Sequence, residues 1–187
     1  LFTENAPRTA GPLMPMTPET GVVDAKIYEQ RLTTVDVANA TVQAVSPADM
    51  YVYEFDWSPD CRQFVLTAAP GAGDNNWYIA QLYVVPTTGG SLRSIYKPPL
   101  QLAVPRWSPD GKSVAFIGGI MSDEGSTGGD IFVVPAAGGE ARNVTPGIPA
   151  SPSWLTWQSP DRILFAEHID GDSGVGTVEL ASGKVTQ

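Results

Sequence analysis

Trp107-Ser108-Pro109-Asp110-Gly111-Lys112 reads as a tight turn, with Ala103 to Trp107 leading in and Ser113-Val114-Ala115-Phe116-Ile117 leading out. Ser, Pro and Gly stand at the first, second and fourth positions, as a type I turn requires. Pro presets φ, Ser and Asp bond nearby backbone N–H groups, and Gly takes the positive φ that closes a bulged hairpin. One such turn is a weak signal, but this one recurs.

About fifty residues earlier stands Trp57-Ser58-Pro59-Asp60-Cys61-Arg62, followed by Gln63-Phe64-Val65-Leu66, and about fifty residues later Ser159-Pro160-Asp161-Arg162, followed by Ile163-Leu164-Phe165-Ala166. A second motif keeps nearly the same period. Leu82-Tyr83-Val84-Val85-Pro86-Thr87-Thr88-Gly89-Gly90 aligns with Ile131-Phe132-Val133-Val134-Pro135-Ala136-Ala137-Gly138-Gly139. Two independent motifs on one period, built of short strands and tight turns, specify an all-β chain of four-stranded antiparallel blades, a β-propeller.

The period divides the chain into a linker or arm over residues 1–20, a partial blade over 21–50, full blades over 51–96 and 97–145, and a partial blade over 146–187. Strands are expected near 53–57, 63–67, 80–85 and 91–95 in the first full blade, and near 103–107, 113–117, 130–134 and 141–144 in the second. The final unit is expected to be cut off in its last strand, near 184–187. Two full blades and two incomplete ones do not close a ring, which takes four to eight. The chain therefore reads as part of a longer protein, its open blade edges offering a route to self-association. Cys61 takes the place of Gly111, where the turn wants positive φ, at a cost of about 1 kcal/mol.

The bulk numbers narrow the function classes. A net charge of −9 over 187 residues opposes nucleic acid and anionic membrane surfaces, and no run of about twenty apolar residues is long enough to span a bilayer. The single cysteine excludes an internal disulfide. No signal peptide is legible, which leaves periplasmic, secreted and cytoplasmic settings open.

Successive strands a to d of a blade place the a–b and c–d turns on one side of the disc, and the b–c loops and d–a joints on the other. The b–c loops read as long and dissimilar: 68–78, 118–129 and 167–175. With Asp130 they carry Asp74, Asp123, Glu124, Asp130, Glu167, Asp170 and Asp172, seven of the chain's 20 acidic residues, and no Lys or Arg. That potential draws cationic groups, although a solvated loop surface would have the same composition. Asp123-Glu124 on a Gly-rich loop is the pair to single out, suited to a peptide's α-ammonium group. Asn75, Asn76 and Trp77 in the neighbouring loop would supply amides and an aromatic wall. Asp170-Gly171-Asp172-Ser173-Gly174 begins like a calcium loop but lacks the distal Glu. His168, the only histidine, makes no triad with Ser173. No Gly-x-Ser-x-Gly elbow and no zinc spacing occur, so the sequence carries no complete catalytic set and calls for no cofactor.

Trp-Ser-Pro-Asp-Gly-Lys with Val-Ala-Phe, then Ile-Phe-Val-Val-Pro and Gly-Gly, resembles the propeller repeat shared by two groups, over about 51–187. One is the prolyl oligopeptidase family of serine peptidases, with its dipeptidyl-peptidase and acylaminoacyl-peptidase branches; the other is the TolB-type propellers. The long acidic loops favour the peptidases. The resemblance implies a propeller that filters and orients peptide substrates for a C-terminal α/β-hydrolase domain bearing Ser, Asp and His. No family catalytic residue maps onto this chain. Asp123 and Glu124 are candidates by chemistry alone, since the paired-Glu motif of the dipeptidyl peptidases is not reproduced, and Arg162 departs from the repeat where Gly is expected. A stand-alone TolB-like scaffold for protein partners is the alternative. A carbohydrate-acting propeller enzyme would want a metal or His cluster.

Overall fold

The structure is a computed structural model and describes residues 30–71, 74–122 and 125–187, the side chains of Asp74 and Asn75 excepted. The expected arm and the first part of the leading partial blade lie outside those residues.

Among the described residues, fourteen strands are arranged in four antiparallel sheets. The hairpin β1 (Thr33–Val35) and β2 (Val42–Ala44) comes first. Three four-stranded meanders follow: β3 (Met50–Trp57), β4 (Gln63–Pro70), β5 (Gln81–Pro86) and β6 (Arg93–Tyr96); β7 (Gln101–Trp107), β8 (Ser113–Gly119), β9 (Asp130–Pro135) and β10 (Arg142–Asn143); β11 (Ser151–Ser159), β12 (Arg162–Ile169), β13 (Asp172–Glu179) and β14 (Lys184–Thr186). Each strand pairs with its sequence neighbour, as in the blades of a propeller. A 3-10 helix, Asp74–Ile79, lies between β4 and β5.

The fold class is therefore as the repeat specifies. The last strand, expected near 184–187, pairs over three residues: Thr177, Val178 and Glu179 with Thr186, Val185 and Lys184. Short as it is, β14 gives the third sheet its fourth strand.

Alternation along each strand sends side chains to both faces, and both faces of the inner blades are apolar. Phe64 and Leu66 of β4 face back, clustering with Leu32 and Val45 beside the leading hairpin. Val65 faces forward, with Leu82 and Val84, onto Val114, Phe116 and Val134 of the second blade. Ala115, Ile117 and Ile131 face forward in turn onto Leu155, Ile163, Phe165 and Val178 of the third. A one-residue slip would reverse both faces of a blade, so the register is strongly specified.

The innermost strands also dock by polar contacts one repeat apart. Asp56 Oδ2 accepts the Trp107 N–H at 2.8 Å, and Trp157 Nε1 donates to the Arg106 carbonyl at 3.0 Å. The Ser-Pro-Asp turns form as read. Ser58 Oγ donates to Asp60 at 2.7 Å and accepts the Gln63 N–H at 2.9 Å; Ser108 repeats this with Asp110 and Ser113 at 2.7 and 3.0 Å. Hydroxyl donation and a backbone N–H hold the Asp60 and Asp110 carboxyls below their ordinary pKa. In the third repeat only Pro160 and Asp161 separate the paired Ser159 and Arg162. Arg162 thus starts a strand rather than filling a glycine position, and pairs with Glu179 at 3.2 Å.

Candidate functional site

Of the residues singled out above, Asn75, Asn76 and Trp77 lie between β4 and β5, on the face carrying the b–c loops and d–a joints. Asp123 and Glu124 lie outside the described residues. Asn75 and Asn76 lie in the 3-10 helix, where Asn76 Nδ2 donates to the Pro70 carbonyl at 2.7 Å and ties the helix to the end of β4. Trp77 forms no wall facing solvent. It is 2% exposed and packs in one cluster with Ala80, Ala103 and Met121. Its role is to anchor the loop, because an indole this large gains more from burial than from any rim position.

The third loop of the sequence reading is a hairpin instead. β12 runs on to Ile169 and β13 begins at Asp172, leaving Asp170 and Gly171 as the turn, at φ 51° and 89°. Positive φ at both central residues suits Asp-Gly, the pairing that closes two-residue hairpins with the right twist. Asp172, Ser173 and Gly174 pair with Ile169, His168 and Glu167, which removes the calcium-loop geometry. Among the described residues no group of three or more His, Cys, Asp or Glu side chains is placed to hold a metal ion.

The acidic face is accordingly smaller than its composition. Glu167 is 2% exposed, with both carboxylate oxygens accepting from Gln187 Nε2 at 3.1 and 3.0 Å. Asp130 accepts from Asn143 Nδ2 at 2.8 Å and so serves its own blade. Asp170 and Asp172 remain exposed on the third blade.

Two residues that the sequence reading passed over hold the second loop, Tyr78 from the first loop and Gln101 from the start of β7. The Tyr78 hydroxyl donates to the Ser122 carbonyl, and Gln101 Oε1 accepts the Met121 N–H at 3.1 Å. Tyr78, Ile79 and Ile120 are exposed on this face, Ile120 by 81%. The signal for Tyr78 was its place after Trp77: the buried neighbour fixes the backbone and sends the next side chain outward.

On the opposite face a cavity of about 580 Å³ opens between the first two Ser-Pro-Asp turns, lined by Asp60, Arg93, Trp107 and Asp110 among others. Its charged groups are already engaged: the carboxylates within their turns, and the Arg93 guanidinium with the Ala136 and Ala137 carbonyls at 3.1 and 2.9 Å. It is an interblade groove.

Fold and faces together define a partial β-propeller with a loop face and a turn face. No family model matches the chain. A curated relative, the uncharacterized peptidase YuxL of Bacillus subtilis, is 29% identical over 156 residues, 83% of this chain and 20% of its own length. Among solved structures, an oligogalacturonate lyase in complex with manganese superimposes with a TM-score of 0.67 at 17% identity, covering 86% of this chain and 49% of that one. A puromycin hydrolase gives 0.67 at 17% identity, covering 85% and 27%. TolB from Acinetobacter baumannii gives 0.56 at 15% identity, covering 86% and 37%. The peptidase and TolB propellers named by the repeat motifs are thus among the proteins this chain is similar to, and the solved structures share its fold. The chain spans a fraction of each, 20% of the curated relative.

Proposed function

We propose that this chain is the propeller portion of a prolyl-oligopeptidase-like serine peptidase. It is non-catalytic by itself, and it gates and orients peptides for an α/β-hydrolase domain outside it. In the whole enzyme the reaction is acyl transfer from peptide to serine, then hydrolysis. The observation that carries this reading is the match to a peptidase over 83% of the chain. Exposed Tyr78, Ile79 and Ile120 on the loop face support it, since apolar side chains grouped on one face suit a partner domain. Asp123 and Glu124, within the second b–c loop in sequence, are the proposed holders of a peptide's α-ammonium group, with Asn75 and Asn76 of the first loop in the same role.

The test has two parts. The gene beyond Gln187 should encode a Gly-x-Ser-x-Gly elbow followed by Asp and His; a stop codon soon after the propeller would favour a scaffold. In the full-length protein, Asp123→Asn with Glu124→Gln should raise KM about tenfold for peptides with a free N-terminus, the cost of losing one charge-assisted contact. Peptides with a blocked N-terminus should be unaffected. Equal KM on both would remove the proposed contact.

A TolB-like scaffold is the second reading. The forward face of the third blade favours it, where Trp154 and Val175, in register through Ala166, lie exposed. In the inner blades the matching face is covered by the next blade.

A further inference from the structure

Glu54 is a carboxylate in the middle of β3, between Tyr53 and Phe55, on a strand packed against the neighbouring blade. A charge there is costly unless it is partnered. Its Oε2 accepts the Val104 N–H at 2.8 Å, and Val104 is an outlier: φ is 57° in a β-branched residue followed by proline. Such a conformation persists only where the surroundings over-determine it.

Val104 is also where the register of β7 slips. Ala103 pairs with Ile117, but the next pair is Arg106 with Ala115, so Val104 and Pro105 together oppose Phe116. A bulge of this kind sets where the strand's upstream half points. That half, Gln101 to Ala103, pairs with Gly119, Gly118 and Ile117. Gln101 Oε1 holds the Met121 N–H, and the Ser122 carbonyl takes the Tyr78 hydroxyl. Buried Met121 and Ala103 share a cluster with Trp77. An unbroken chain of contacts thus runs from one carboxylate on the first blade, through a strained bulge on the second, to the segment that joins two loops.

We infer that Glu54 is a positioning residue of the loop face: by holding Val104 in its left-handed conformation it fixes the bulge of β7, and through Gln101 the placement of Met121 and Ser122. Asp56, two residues on, has a different task, since its bond to the Trp107 N–H lies downstream of the bulge and fixes blade docking alone. The assignment holds whether this face receives a peptide, a catalytic domain or another partner.

Amide hydrogen exchange on the full-length protein tests it, because exchange resolves local opening from global unfolding. Glu54→Gln keeps an oxygen that can accept the Val104 N–H, and should leave Gln101 to Ser122 protected as in the parent. Glu54→Ala should speed exchange at Gln101 to Ala103 and at Met121 about tenfold, with β11 to β14 unchanged. Gln101→Ala should reproduce the loss at Met121 while leaving Val104 protected. Glu54→Asp, which keeps the charge but shortens its reach by one methylene, should give a smaller loss at Met121, and secures the test if the alanine variant does not fold. Parent-like protection of Met121 in both Glu54→Ala and Glu54→Asp would overturn the inference. So would a loss spread evenly over all three blades, which would make Glu54 a general stabiliser.

Discussion

Cys61 and Gly111 hold the same corner of successive blades. Their φ values are 58° and 69°, and each N–H donates to the carbonyl of the turn's serine, Ser58 or Ser108, at 2.9 Å. The repeat imposes a left-handed residue at this corner whichever side chain fills it. Only glycine, which has no Cβ to crowd the following carbonyl, takes that conformation without strain.

Cys61→Gly should therefore stabilise the protein, by up to about 1 kcal/mol, part of the relieved strain being offset by the greater freedom of glycine in the unfolded chain. Urea denaturation of the two forms checks it. A lower midpoint in the variant would mean that the exposed thiol makes a contact worth more than the strain.

Ser108 gives the turn its acid sensitivity as well as its shape. The side chain is buried, and its loss strands the Ser113 N–H, so Ser108→Ala should cost about 1–2 kcal/mol at neutral pH. The Asp110 carboxyl, held below its ordinary pKa first by the Ser108 hydroxyl and then by the Lys112 N–H, favours the fold above its ordinary value of 3.8. That contribution is lost as pH falls through the lower folded value. The alanine variant should show a shallower loss of stability over that acid range in a pH series of melts.

The turns and the repeat were legible because each residue there acts locally: Pro, Ser, Asp and Gly shape the backbone within four positions of themselves. The loop face was less legible because its outcome depends on contacts about a repeat apart. Trp77 looks like a recognition residue in its own loop, and only Ala103 and Met121 from the second blade reveal it as core. Asp170-Gly171 carried a hairpin signal, but the acidic residues around it suggested a long loop. Glu54 went unread in the sequence, since its partner Val104 lies fifty residues on.

Glu54 titrates in the opposite sense to the turn aspartates. Burial raises its pKa above the ordinary value of 4.5, outweighing the opposing pull of the Val104 N–H and of the Arg106 charge. Between that value and the raised one the folded state binds more protons than the unfolded chain, so stability falls as pH rises through the window. Glu54→Gln should remove this slope and be the more stable form at neutral pH. A slope unchanged in the variant would assign it to another group.

The two interblade tryptophans should respond differently to the same change. Trp157 Nε1 donates to the Arg106 carbonyl, whereas Trp107 Nε1 is buried with no partner. Trp157→Phe gives up a hydrogen bond and leaves a carbonyl wanting, while Trp107→Phe removes a donor that was already unpaired. The first should cost about 1 kcal/mol more than the second, read from denaturation midpoints of the two variants. Equal costs would mean that lost packing volume, common to both, decides the outcome.

Gly129 is where the two arms of the second b–c loop cross. A Cβ there would overlap the carbonyl oxygen of Gly118, and one at Gly119 would come within 2.5 Å of the Gly128 carbonyl oxygen. Both obstacles are backbone, which cannot swing aside as a side chain can. Gly125, in the same loop, has a similar positive φ but nothing within 4 Å of its missing Cβ. Gly125→Ala should cost only the conformational term, about 1 kcal/mol. Gly129→Ala should add an overpacking term of about 1–3 kcal/mol and loosen the pairing of Gly118 with Asp130. Hydrogen exchange at the start of β9 together with denaturation midpoints separates the two. If both variants lose the same stability, the crossing is soft, and the loop is held by Trp77 and Met121 rather than by its glycines.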